Sequence, residues 1–121
     1  MSETRRYCQW EIWDVNWQHE DGTGKRRPAL LISSTEYNSQ NDALWFVKIS
    51  SVRHNVPFRL ESRLDEPAFA GTGLTKTSYF YIADARPIGK PSIFRRRGAL
   101  SAFAAMLVDH QIRNAVGLNP P

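Results

Sequence analysis

The chain has 121 residues, 41% of them hydrophobic and 23% charged, the proportions of one globular domain that removes about two thirds of its chain surface from water. No apolar run approaches the ~20 residues that cross a bilayer, and the opening MSETRRYCQW carries charge without the apolar stretch of a secretory signal. The single cysteine, Cys8, excludes an internal disulfide and suits a reducing cytoplasm, while a net charge of +4 directs attention to polyanions or acidic proteins as partners.

Residues 1–8 are expected to form a flexible arm ahead of a single domain over 9–121. Glu11 to Trp17 alternates strictly, with Ile12, Asp14 and Asn16 on one face and Trp13, Val15 and Trp17 on the other, which predicts a half-buried strand. Gln18 to Arg27 reads as a loop holding Gly22, Gly24, Lys25, Arg26 and Arg27, and Ala29 to Ser33 as a buried strand. Ser34 to Asn41 contains turn formers. Ala43 to Ser50 (ALWFVKIS) is aromatic and β-branched, hence a third strand. A short edge strand is expected at Val56–Leu60, because Pro57 has no N–H for a ladder. Thr77 to Ala83 (TSYFYIA) predicts a further strand, followed by a Pro- and Gly-containing stretch with a short strand near Ile88 or Ile93. Ser101 can cap a helix running to Val116, whose apolar face includes Phe103, Leu107, Val108 and Ile112, with Gly117 beyond its end. The sum is a mostly-β α+β domain: a small, bent sheet or barrel packed by one C-terminal helix.

Two basic centres stand out: Lys25-Arg26-Arg27, and the acid-free stretch from Ala85 to Val108 with Arg86, Lys90, Arg95, Arg96 and Arg97. Arg27 sits where the Gly-rich loop meets a stiff strand, and its planar, permanently charged fork suits a phosphate. Ser50 and Ser51 close the ALWFVKIS strand and can donate hydroxyl hydrogen bonds to phosphate oxygens. His19 and His54 are candidates for acid–base work near neutrality, and Glu20 or Asp21 for orienting Arg27. Trp10, Trp13, Trp17, Trp45, Tyr79 and Tyr81 are the rings that could stack on unpaired bases; most of them are expected in the core, and Trp17, beside the loop, is the leading candidate for an exposed one. No Cys/His cluster has ligand spacing, so neither a metal nor a cofactor is expected.

Glu11-Ile12-Trp13-Asp14-Val15, a polar loop, Arg27-Pro28-Ala29-Leu30-Leu31-Ile32-Ser33 and then Tyr37-Asn38 together resemble the MazF/PemK family of toxin–antitoxin ribonucleases. The resemblance spans about residues 9–118 and includes Thr77-Ser78-Tyr79 ahead of Ile82-Ala83-Asp84. It implies an SH3-like small barrel with a C-terminal helix, in a homodimer that cleaves single-stranded RNA without a metal to 2′,3′-cyclic phosphate and 5′-OH ends. It further implies that Arg27 and Ser50 are catalytic, with Ser51 one register away as the alternative, and that an acidic antitoxin covers the groove; from the residues themselves, Trp17, His19, Glu20, Lys25, Arg26, Ser51 and His54 are expected around the substrate. Ser50 stands where the family more often has threonine, with the hydroxyl retained. The alternatives are a non-catalytic SH3-like module binding RNA or protein, and a gyrase-type poison similar to CcdB. The latter toxins use a C-terminal tryptophan, and no tryptophan follows Trp45 here.

Overall fold

The computed structural model describes residues 5–19 and 21–118. Its strands are β1 (Glu11–Gln18), β2 (Gly24–Leu31), β3 (Ala43–Ser50), β4 (Arg59–Ser62), β5 (Ser78–Gly89) and β6 (Ile93–Ala99), with helices α1 (Thr35–Gln40) and α2 (Ala102–Ala115). All strand pairs are antiparallel, in the order β4-β5-β3-β2-β1-β6. The mostly-β, barrel-like class with a C-terminal helix is the one the sequence predicts. The hydrogen-bonded sheet itself stays open between β4 and β6. Among the described residues no helix is long and apolar enough to cross a membrane.

Alternation along each strand feeds two cores. Ile12, Leu30, Val47 and Phe80 pack with Ala104 and Val108 of α2, while their neighbours Trp13, Leu31 and Phe46 join Val15, Trp17 and Ile93 on the opposite face. Strand β1 is therefore buried on both faces, not half-buried as its polar Asp14 suggests. Ser34 and Ser101 accept hydrogen bonds from Tyr37 N–H and Ala104 N–H, so each caps its helix.

Four segments differ from the sequence reading. The polar loop is shorter: Gly24 to Arg27 belongs to β2, paired with β1 from Gln18↔Gly24 to Ile12↔Leu30. Asp21 accepts from the N–H and hydroxyl of Thr23, which holds its carboxyl below the usual range and closes the hairpin tip. The turn formers of Ser34–Asn41 wind into α1. The edge strand begins at Arg59, and β5 runs on to Gly89 because a bulge absorbs its bend: Tyr81 lies opposite Lys48 but Ala85 opposite Val47, so Ile82, Ala83 and Asp84 have no partner on β3. Finally, residues 5–8 are held and not loose. Tyr7 packs on Trp13 at 4.9 Å between ring centroids, and its carbonyl accepts from Asn38. Residues 1–4 of the expected arm lie outside the described residues.

The outer edge of β6 is covered by the loop between β4 and β5, where Ala99 N–H donates to Gly71 O at 3.0 Å. That approach requires Gly98, since a Cβ there would stand 2.2 Å from Gly71 O, a backbone atom that cannot swing aside. Gly98→Ala is therefore expected to cost about 1–3 kcal/mol and to lower the melting temperature by several degrees. An unchanged thermal melt would show that the loop is not locked onto β6.

Candidate active site

The site begins with a missing hydrogen-bond donor. Ile32 N–H donates to Trp45 O at 2.9 Å, so the even-numbered residues of β2 turn their N–H groups toward β3. Pro28 falls in that set and has none to offer the Ile49 carbonyl. The β2–β3 ladder accordingly runs from Leu31↔Phe46 to Ala29↔Lys48 and stops. The same register, carried two residues on, sets Arg27 opposite Ser50 at the mouth of an opened strand pair.

A cleft of about 390 Å³ lies there, lined by Lys25, Arg27, Ser50, Ser51, Lys76 and Arg97 together with apolar Pro28 and Ile49. Strand β2 supplies the first two cations, β6 the last, and the locked β4–β5 loop carries Lys76. Among the described residues no imidazole, carboxylate or thiol lines it. Four cations thus converge with the hydroxyl side chains of Ser50, Ser51, Thr75 and Ser78 on one concavity, a field suited to an anion.

Their partners differ sharply. Arg97 donates through Nε to Asp14 at 2.5 Å, and Asp14 is also 3.9 Å from Arg95. Arg96 donates to Glu11 at 2.5 Å. Arg27 has no ion pair and no hydrogen bond among the described residues, and its Nε is buried without an acceptor. Ser50 is only 8% exposed; its Oγ accepts from Val52 N–H at 3.1 Å, which leaves the hydroxyl proton free to be donated. The turn that follows is pinned by Tyr81, whose hydroxyl donates to Val52 O and accepts from His54 N–H.

Of the sequence-predicted residues, Arg27, Ser50, Lys25 and Ser51 meet in this cleft. Trp17 does not: it is 3% exposed, with the Arg86 guanidinium 4.6 Å above its ring, and cannot stack on a base. The exposed tryptophan is Trp45, at 40%. Arg26 alternates away from Arg27 and covers Phe94 at 4.0 Å. His19 closes the hairpin tip through its backbone, bonding Thr23 O and Gly22 N–H, and is not part of the cleft lining. His54 lines a separate cavity next to the cleft. Glu20 lies outside the described residues. Sequence reasoning missed Lys76, which carries no local signal, and did not separate Arg97 from its two neighbours; the strict alternation of a strand through Arg95-Arg96-Arg97 was the available clue.

The chain matches the model of the PemK-like, MazF-like toxins of type II toxin–antitoxin systems over residues 8–116. Among solved structures it is similar to a mycobacterial endoribonuclease in complex with its cognate antitoxin, with TM-score 0.76 and 15% identity over 95% of this chain and 99% of that one. It is also similar to the toxin MazF-mt6 of Mycobacterium tuberculosis, with TM-score 0.72 and 18% identity over 91% and 99% of the two chains. A MazE–MazF structure from Deinococcus radiodurans gives TM-score 0.72 and 20% identity over 95% and 100%. At these identities the structural likeness establishes the fold. No curated protein matches the chain.

A buried guanidinium nitrogen without an acceptor makes a stability test of the site possible. Replacing Arg27 by Met, which keeps the stem and removes the unsatisfied nitrogen, should leave the melting temperature unchanged or raise it. Asp14→Asn, which takes the counter-ion from Arg97, should lower it. A loss of about 2 kcal/mol or more in Arg27→Met would identify Arg27 as a structural residue instead.

Proposed function

We propose that this chain, which belongs to the PemK-like, MazF-like toxin family of type II toxin–antitoxin systems, is an endoribonuclease that cuts single-stranded RNA without a metal. The observation that carries the reading is the unpartnered Arg27 guanidinium standing across an opened ladder from the Ser50 hydroxyl. In the reaction a ribose 2′-oxygen attacks the adjacent phosphorus and the bond to the 5′-oxygen breaks, leaving a 2′,3′-cyclic phosphate and a 5′-OH. Charge builds on the non-bridging oxygens at the transition state, and Arg27 is placed to take it in a site where no internal acid competes. Ser50 donates a second hydrogen bond to the same oxygens. Lys25, Lys76 and Arg97 hold the flanking phosphates, with Asp14 tempering the field of Arg97 alone. Since no imidazole or carboxylate lines the cleft, the proton of the 2′-hydroxyl passes to water, and water returns one to the departing oxygen.

The same cationic cleft is what an acidic antitoxin would cover, and the chain is read as working in the cytoplasm as a homodimer. Purified protein in excess chelator should convert single-stranded RNA to fragments with 5′-OH ends. Intact RNA across several sequences would favour a non-catalytic binding module. Arg27→Ala should slow cleavage by about 10²–10³, equivalent to about 2.7–4 kcal/mol of transition-state stabilisation, and Ser50→Ala should slow it less.

Histidine involvement has its own test. The double variant His19→Asn, His54→Asn should keep both limbs of the pH–rate profile, because neither imidazole lines the cleft. Loss of a limb near pH 6–7 would install one of them as the base.

A further inference from the structure

We infer that Tyr81 is a positioning residue for the Ser50 hydroxyl, acting through the backbone of Val52; the inference rests on the reading of Ser50 as a donor to the scissile phosphate. Strand β3 ends at Ser50, and residues 51–57 that follow it are all exposed. A segment without buried apolar contacts is ordered by its hydrogen bonds alone. The Val52 side chain, 57% exposed, anchors nothing. Its backbone is held on both sides: the N–H donates to Ser50 Oγ at 3.1 Å, and the carbonyl accepts from the Tyr81 hydroxyl.

The phenol is a firm anchor because its own strand is. Tyr81 pairs with Lys48 of β3 on one side and with Arg59 of β4 on the other, and it is buried. The His54 ring lies 5.7 Å from its own, and Lys48 Nζ 6.0 Å from its centroid. Its hydroxyl also accepts from His54 N–H at 2.8 Å, so one donated and one accepted bond fix it. Arg59 Nη1 donates to His54 O at 2.7 Å and ties the far side of the same turn to β4. At the near side, no other group among the described residues donates to the Val52 carbonyl.

A serine side chain has three staggered wells to choose from. In the one it occupies, Ser50 Oγ accepts from Val52 N–H, which leaves its proton to the cleft that it lines with Arg27. Without the Tyr81 hydroxyl, the Val52 peptide is held by Ser50 alone. The turn then swings, the N–H departs, and the serine samples all three wells, two of which no longer aim at a phosphate on Arg27. A hydroxyl ordered before the reaction begins is preorganised in the sense that stabilises a transition state. Tyr81 supplies that order without touching the substrate.

The test is a double-mutant cycle on cleavage of single-stranded RNA, Tyr81→Phe against Ser50→Ala, with the Ser50 rotamer read from its three-bond couplings in the free protein. Phenylalanine keeps the ring and its packing and removes the hydroxyl alone. Tyr81→Phe should lower kcat about three- to ten-fold, the lower figure from three equal wells and the upper from one lost hydrogen bond. In the Ser50→Ala background it should change nothing, because no hydroxyl remains to be aimed. Equal slowing in both backgrounds would make Tyr81 a structural residue, and an unchanged kcat in the single variant would remove it from the mechanism; each overturns the inference. The couplings should report one χ1 rotamer in the wild type and an average in Tyr81→Phe, with neighbouring Ile49 unchanged. A single Ser50 rotamer retained in the variant would also overturn it. If the wild type leaves RNA uncut in excess chelator, the nuclease reading fails, and the couplings still decide whether Tyr81 sets Ser50.

Discussion

A buried guanidinium nitrogen without an acceptor is the constraint around which this barrel is arranged. Such a group costs about 1–3 kcal/mol, and more when it is charged, so folding would ordinarily supply a carboxylate. Two buried carboxylates are close by on β1, the strand next to Arg27: Glu11 and Asp14. Both are engaged from the other side, Glu11 by Arg96 and Asp14 by Arg97 and Arg95 of β6. The arginine run that reads in the sequence as a second basic patch is thus largely a counter-ion to β1. By occupying those acids it leaves Arg27 uncompensated, and its charge is available to something that arrives from solution.

Local pattern made much of this fold readable. The alternation in Glu11–Trp17 and the β-branched, aromatic ALWFVKIS segment located β1 and β3, and the Ser101 cap with its apolar periodicity located α2, because each signal lies within a few residues. What escaped was set by contacts distant in sequence. Lys25 to Arg27 looked like loop because glycines and cations precede Pro28, yet pairing with β1 extends them as strand. Trp17 looked available beside a polar loop, but Arg86, remote in the chain, closes over its ring. In the site, Arg27 and Ser50 were legible because strand ends hold them, whereas Lys76 enters only through a loop whose path depends on Gly98.

Two concave surfaces are separated along a single strand. At the open end of β3, Ser50 faces the cationic cleft; two residues earlier Lys48 faces the aromatic cavity. Tyr81 links them, since its ring walls the cavity while its hydroxyl anchors the Val52–His54 turn that follows Ser50.

Rigidity is what allows so few groups to serve as a site. Preorganised charge stabilises a transition state because it need not be reoriented as the reaction proceeds. Arg27 rises from a strand paired with β1 on one side, Ser50 ends a strand paired with β5, and the ladder between them is broken at one imino acid. Had any other residue occupied position 28, its N–H would have been free to bond Ile49 O and carry the β2–β3 ladder on toward Arg27 and Ser50. The cleft opens where the β2–β3 ladder stops, at a residue with no N–H to extend it.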